Sequence, residues 1–215
     1  MLRVAVVGLG WWGRIIVGLL NGSGKLSPAK VVDRDPAARE FASRSGIPFE
    51  NDFESILSDP SVEGVILCTP HSQHCEQIVR AAGAKKHVFC EKPLSLSRAE
   101  ALKAVAACNA NGVALGVGHE RRFEPPVLEL FRIAQAGELG TLLQVEANFS
   151  QDKFLSLPAD NWRLQDKDAP AGPMTATGIH LLDLAIGLLG PVETAYARVR
   201  QLGSHLVNGT RSLSC

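Results

Sequence analysis

The chain opens on LRVAVVGLGWWG, in which a short apolar run, Val4 to Val7, leads into Gly8-x-Gly10-x-x-Gly13 and then into the helically spaced Ile15, Ile16, Leu19 and Leu20. Strand, tight glycine turn and helix in that order constrain the fold more than any other stretch. Gly8 makes the turn, Gly10 lets the backbone approach a pyrophosphate, and Gly13 lets the helix pack on the strand. The helix N-terminus offers the phosphates free N–H groups and its positive dipole end. A second apolar run, Ala29 to Val32, ends in Asp33, twenty positions after Gly13, where a carboxylate accepts from the adenosine ribose hydroxyls. Glycine-rich turns are common, so this context, not the glycines alone, predicts a dinucleotide site. Trp11 and Trp12, inside the turn, either pack around the pyrophosphate edge or belong to the core.

The pattern then repeats as helix and strand. Helices are expected at Pro36 to Ser45, Phe53 to Leu57, Cys75 to Ala82 with Gly83 as a C-cap, and Ser97 to Ala110; strands are expected at Gly64 to Cys68, His87 to Cys90 and Val113 to Val117. Such alternation predicts an α/β fold with a doubly wound parallel sheet. Domain boundaries are expected at 1–120 for this dinucleotide-binding part and 121–215 for a second, α+β part with an open, mostly antiparallel sheet.

The grammar changes from about Arg121. A helix from Glu124 to Ala136 ends at Gly137, and Thr141 to Asn148 reads as a strand with one wet face. A long loop, Ser150 to Gly172, precedes a helix from Thr175 to Leu189 that is apolar nearly all round and is expected to be largely buried. His180 and Asp183 are its polar exceptions, three residues apart on one narrow face. Buried ionisable groups need a partner or a pocket.

Ligands of a doubly wound sheet sit beyond the carboxyl ends of its strands. Those ends carry Cys68-Thr69-Pro70-His71, with His74 just beyond, and Cys90-Glu91-Lys92-Pro93. The first reads equally as a helix-capping loop. Lys92, fixed at the sheet's mouth by Pro93, suits a position over a nicotinamide, or else forms a solvated charge pair with Glu91.

These motifs in order, GLGWWG, Asp33-Arg34, CTPHSQH, KKHVFCEKPLS, Arg122-Phe123, Asn161-Trp162-Arg163 and GIHLLDL, resemble the Gfo/Idh/MocA family of NAD(P)-dependent oxidoreductases over nearly the whole chain. EKP at this place is close to diagnostic. The resemblance implies a Rossmann domain, a hydride exchanged between a nicotinamide cofactor and a sugar, polyol or related hydroxylated small molecule, and homo-oligomers among full-length relatives; a cytoplasmic location is expected from the cysteines, which read as buried thiols in a reducing compartment. It implies that Lys92 reaches the nicotinamide ribose and the substrate hydroxyl, that the Lys92–Pro93 bond is cis, and that His180 is the general acid or base with Asp183 beside it. It assigns Gly8, Gly10, Trp11, Trp12, Gly13, Asp33, Arg34, Cys68, Thr69, Pro70, His74, Glu91, Lys92 and Pro93 to the cofactor, and Arg122, Trp162 and Arg163 to the substrate. A core role for His180, and salt-bridge or loop-anchor roles for Arg122 and Arg163, stay open. NAD is favoured because Asp33 repels a 2′-phosphate, although Arg34 beside it suits one, so NADP is the alternative.

The chain departs from the family pattern in two places. Ala176 stands where the family has an aspartate, leaving Asp183 or the hydroxyls of Thr175 and Thr177 to orient His180. The second domain is short, and the tail GTRSLSC does not read as a continuation of its sheet, which suits a C-terminally short member. A catalytically impaired dinucleotide-binding protein that senses or scaffolds is the rival reading.

Composition excludes other classes. The 22 basic residues balance the 22 acidic ones, leaving no basic stripe for nucleic acid or an anionic membrane. No window approaches a membrane span. The five cysteines include no CxxC, which argues against a disulfide framework or a structural zinc and suits small buried hydrophobes. No metal site is expected.

Overall fold

The computed structural model describes residues 1–170, 172–201 and 211–214. The chain divides into two units, Met1–Gly118 and His119–Cys215. The first alternates strand and helix: β1 (Leu2–Val7), α1 (Trp11–Leu20), β2 (Leu26–Val32), α2 (Ala38–Arg44), β3 (Phe49–Glu50), α3 (Glu54–Leu57), β4 (Gly64–Leu67), α4 (His74–Gly83), β5 (His87–Glu91), α5 (Arg98–Asn111) and β6 (Leu115–Gly118). Its six strands are all parallel, in the order β3-β2-β1-β4-β5-β6. The order reverses between β1 and β4, the crevice where such sheets take their ligands.

β1 shows why the sheet is doubly covered. Its residues alternate between faces, so Val4 and Val6 join Val17 and Leu20 of α1 and Ala38 and Ala42 of α2. Ala5 and Val7 join the opposite cluster, with Ile78 and Ala81 of α4 and Ala104 and Cys108 of α5. Each fully buried Val or Ile stabilises by about 1.5–3 kcal/mol, and both layers depend on this one strand.

Local signals set both ends of α5. Ser97 caps α5 by accepting from the Glu100 N–H at 3.2 Å, and Gly112, at φ 66°, closes the helix in the left-handed region. The other end of this layer differs from expectation. Gly83 is the last residue of α4 and not its cap; Ala84 caps, and Lys85 takes the left-handed φ of 61°. The Lys85 ammonium offsets that strain by donating to the carbonyl and side-chain oxygens of Asn111. β2 starts earlier than its apolar run, at Leu26, and the pairing register slips between Val4 and Ala5, opposite Pro28, which has no N–H to give the ladder.

In the second unit α6 (Pro125–Gln135) starts on proline, which suits the first helical turn, and α7 (Ile179–Leu189) follows a π-helical turn, Met174–Gly178. The two touch at Gly187, where a Cβ would stand 2.7 Å from the Phe131 ring. β7 (Arg198–Gln201) and β8 (Arg211–Ser214) pair antiparallel.

Three expectations fail here. Thr141 to Asn148 is not a strand: a ladder needs a partner backbone, and among the described residues it has none. α7 is not largely buried; His180 is its one buried residue, and Leu182, Ile186 and Leu189 are exposed. The tail does continue a sheet, since its RSLS segment is β8, held by backbone pairing that side-chain alternation did not signal. The loop from Ser150 to Gly172 contains 3₁₀ turns at Lys153–Ser156 and Trp162–Leu164 and buries Phe154, Leu164 and Ala169.

Among the described residues no helix is long and apolar enough to cross a membrane, and no cluster of His, Cys, Asp and Glu suits a metal ion. Cys75, Cys90 and Cys108 are buried and Cys68 is half-buried, all as free thiols.

Candidate active site

The glycine turn is built by close packing at two positions and by openness at the third. Gly8, at φ 92°, lies so near the end of β4 that a Cβ would stand 2.7 Å from the Cys68 carbonyl oxygen, and a Cβ on Gly13 would overlap the Gly8 carbonyl. Around a Cβ on Gly10 there is nothing within 4 Å. Backbone bonds tie the turn to its neighbours: Gly8 N–H donates to Val32 O and Cys68 N–H to Val7 O, both at 2.8 Å. The start of α1 thus carries no side-chain cap and has open space beside its N-cap, Gly10, an arrangement that suits an anion.

Asp33 sits at the end of β2 as part of the turn. Its Oδ2 accepts from the Leu9 N–H at 2.5 Å and its Oδ1 from the Asp35 N–H at 2.9 Å. Asp33, Asp35, Leu9, Gly10, Trp11 and Arg14 line an open cleft of about 690 Å³. Arg34 is exposed. Trp11 lies on the rim, 65% exposed, with its ring 5.5 Å from that of Trp12. The Trp12 Nε1–H is buried and has no hydrogen-bond partner among the described residues. An open helix N-terminus, a carboxylate at the end of the second strand and a buried unpartnered donor in the turn fit a dinucleotide.

Beyond β4 and β5 the expected loops are joined by one histidine. His74 is wholly buried, with Nδ1 2.8 Å from Pro93 O and Nε2 3.0 Å from Thr69 O. Burial pushes its pKa down, partly offset by the two carbonyls. Both ring nitrogens thus lie within hydrogen-bond reach of backbone carbonyls, one of which takes the single N–H of the neutral ring, so His74 ties the loop after β4 to the loop after β5. Thr69 Oγ1 donates to Gln77 Oε1 at 2.6 Å, while Pro70 stays half-buried and His71 buried. The Lys92–Pro93 bond is cis, and Lys92 is half-buried between buried Glu91 and Pro93. A Cβ at Gly118 would stand 2.6 Å from Glu91 Oε1, so glycine there makes room for that carboxylate. Burial raises the Cys68 and Cys90 thiols far above the ordinary range, which leaves them as packing groups.

In the second unit the polar face of α7 meets the 3₁₀ turn Glu120–Phe123. Arg122 forks onto Asp183, with Nε 2.5 Å from Oδ2 and Nη2 2.8 Å from Oδ1. Hydrogen bonding to Asp183 is the largest cause of the raised Arg122 pKa. This is the salt-bridge alternative for Arg122, and it assigns Asp183 to the guanidinium rather than to His180. His180 Nε2 instead lies 3.6 Å from Glu120 Oε1. Thr177 Oγ1 donates to Pro173 O and accepts from Gln151, so that hydroxyl is committed elsewhere. Arg163 stacks over the Trp162 ring at 4.3 Å, and burial lowers its pKa. Sequence reasoning missed His119 and Glu120. The signal was present, because both directly follow the carboxyl end of β6, as the EKP segment follows β5.

A model of the oxidoreductase family with an NAD-binding Rossmann fold, GFO_IDH_MocA, matches residues 2–119, and a model of the GFO/IDH/MocA C-terminal domain matches residues 127–211. The chain belongs to the Gfo/Idh/MocA family. It is 43% identical over 161 residues to the uncharacterized oxidoreductase YrbE of Bacillus subtilis, covering 74% of this chain and 43% of YrbE. It is 32% identical to the myo-inositol 2-dehydrogenase of Thermotoga maritima, covering 65% and 42% of the two chains. A Desulfitobacterium hafniense structure, provisionally assigned as an NADPH-dependent oxidoreductase, superposes with a TM-score of 0.89 at 30% identity, covering 96% of this chain and 61% of that one. The aldose-aldose oxidoreductase of Caulobacter crescentus, complexed with glycerol, gives 0.74 at 28% identity, covering 88% and 58%. This Gfo/Idh/MocA chain thus spans about half the length of the curated relatives it matches.

Proposed function

We propose that this chain is an NAD(P)-dependent oxidoreductase acting on a CH–OH group of a sugar, a polyol or a related hydroxylated small molecule, with NAD preferred. Its first unit is the dinucleotide-binding domain and its second belongs to the substrate. The observation that supports this most is the pairing of an open Gly10 at the start of α1 with a half-buried Lys92 on the cis-proline loop after β5. Both lie at the carboxyl edge of one parallel sheet.

The bound nicotinamide supplies the hydride chemistry. Gly10 and the first turn of α1 bind the pyrophosphate with N–H groups, and Asp33 accepts from the adenosine ribose. Lys92 orients the nicotinamide ribose and the substrate hydroxyl with one ammonium, and His180 takes or returns the hydroxyl proton. Proton transfer by a positioned group typically contributes about 10²–10⁴-fold. Trp162 and Arg163, stacked on each other, offer a planar wall to a sugar.

A second reading, a dinucleotide-binding protein without turnover, is favoured by Ala176 in place of the family aspartate. The two are separated by NADH fluorescence titration together with turnover on a panel of inositols, aldoses and their lactones. Binding with turnover that falls about 100-fold or more in Lys92→Ala supports the enzyme. Binding with no turnover on any panel member supports the second reading, and absence of NADH and NADPH binding overturns both.

A further inference from the structure

Two carboxylates face the polar side of α7, and the structure divides their work. Asp183, on α7 itself, is held by the guanidinium of Arg122 through both of its oxygens, and His119 Nδ1 lies 3.8 Å from Oδ2. Glu120 is left to His180, with Oε1 3.6 Å from Nε2 of a ring that is 3% exposed. The His119 ring stands edge-on to that of His180 at 6.0 Å and 88°. Glu120 Oε2 is buried and accepts no hydrogen bond among the described residues. Such an unsatisfied acceptor calls for an explanation, here on a side chain that is 40% exposed overall.

We propose that Glu120 is the positioning carboxylate of His180. It fixes the ring through Nε2 and stabilises the imidazolium formed when His180 takes a proton from a substrate hydroxyl. The carboxylate itself stays ionised, so one proton moves from oxygen to the imidazole and returns when the reaction runs backward. Arg122, by engaging Asp183, keeps the second carboxylate from competing for the ring. The inference rests on His180 being the proton-transfer group of the oxidoreductase proposed above. It adds a residue from the segment after β6 to the proton route and leaves position 176 free to be alanine.

The test is the isosteric variant Glu120→Gln in the full chain. Turnover is expected to fall about 10–100-fold with KM and NADH affinity within about twofold. The acid limb of the pH–rate profile is expected to move to lower pH, because the charged ring loses its opposite charge. Position 176 lies in the π-helical turn that leads into α7, about one turn before His180, so Ala176→Asp added to Glu120→Gln should recover at least part of the turnover. A second readout needs no activity: the His180 imidazole is followed by nitrogen NMR, assigned by its loss in His180→Asn, in wild type and Glu120→Gln. A titration displaced to lower pH in the variant supports the inference even if the chain turns over nothing, in which case only the oxidoreductase reading falls. An unchanged His180 titration, or Glu120→Gln turnover equal to wild type, overturns it.

Discussion

Arg122 and Asp183 are joined by a forked ion pair that also reaches the backbone, since Nη2 donates to the Asp183 carbonyl at 3.1 Å. A lysine reproduces the charge but not the fork. Arg122→Lys and Asp183→Asn should each destabilise the chain, and a double-mutant cycle by chemical denaturation should give a coupling of about 1 kcal/mol, modest because Arg122 is partly exposed. A coupling indistinguishable from zero would show that the pair does not hold α7 on the turn Glu120–Phe123.

The turn glycines should separate packing from binding. Gly13→Ala forces a Cβ into the Gly8 carbonyl, a backbone contact that cannot relax, and should cost about 3 kcal/mol or more. Gly10→Ala meets nothing within 4 Å, so its melting temperature should stay within a degree or two of wild type while NADH affinity drops about tenfold or more. Equal NADH affinity in Gly10→Ala and wild type would remove the pyrophosphate from this turn.

The preference for NAD proposed above rests on Asp33. Side-by-side titrations should give tighter binding of NADH than of NADPH, and Asp33→Ser should narrow the gap by weakening NADH and admitting the 2′-phosphate beside Arg34. Tighter binding of NADPH by the wild-type chain would reverse the assignment.

His74 sets a pH dependence whose sign can be worked out. Its pKa in the folded chain lies below the ordinary 6.5, chiefly through burial, so the unfolded chain binds the proton more readily. Its contribution is fully present above that value and is lost as pH falls from 6.5 toward the folded pKa, with a slope of at most about 1.4 kcal/mol per pH unit. Denaturation midpoints between pH 7.5 and 5 should therefore fall in wild type, and less steeply in His74→Gln. Parallel profiles would mean that other groups dominate the acid response.

Much of the first unit was legible because its signals are local. A buried parallel strand reads as a continuous apolar run, Gly13 answers to the Gly8 carbonyl five positions earlier, and the Ser97–Glu100 capping box announces α5. The second unit was less so, because its features depend on what lies opposite. Thr141 to Asn148 alternates like a strand but finds no ladder among the described residues, while Arg211–Ser214 lacks an apolar pattern and still pairs with β7. The neighbour of His180 was sought on its own helix, at Asp183, Thr175 and Thr177. A charged neighbour stands sixty positions earlier, at Glu120, a distance that helical periodicity cannot span.

The two hydrogen bonds that Asp33 accepts from Leu9 and Asp35 make it a keystone of the turn before any ribose arrives. Its carboxylate is already immobilised, so accepting from an adenosine ribose, as proposed above, would require little further loss of freedom. The same fixation puts a toll on redesign. A shorter, single-oxygen serine in place of Asp33 cannot hold both the Leu9 and the Asp35 N–H groups as the carboxylate does, so altered selectivity and a looser turn should be inherited together. A useful NADP-accepting variant would then need its compensation at a second position, in the backbone from Leu9 to Trp12, rather than at the ribose.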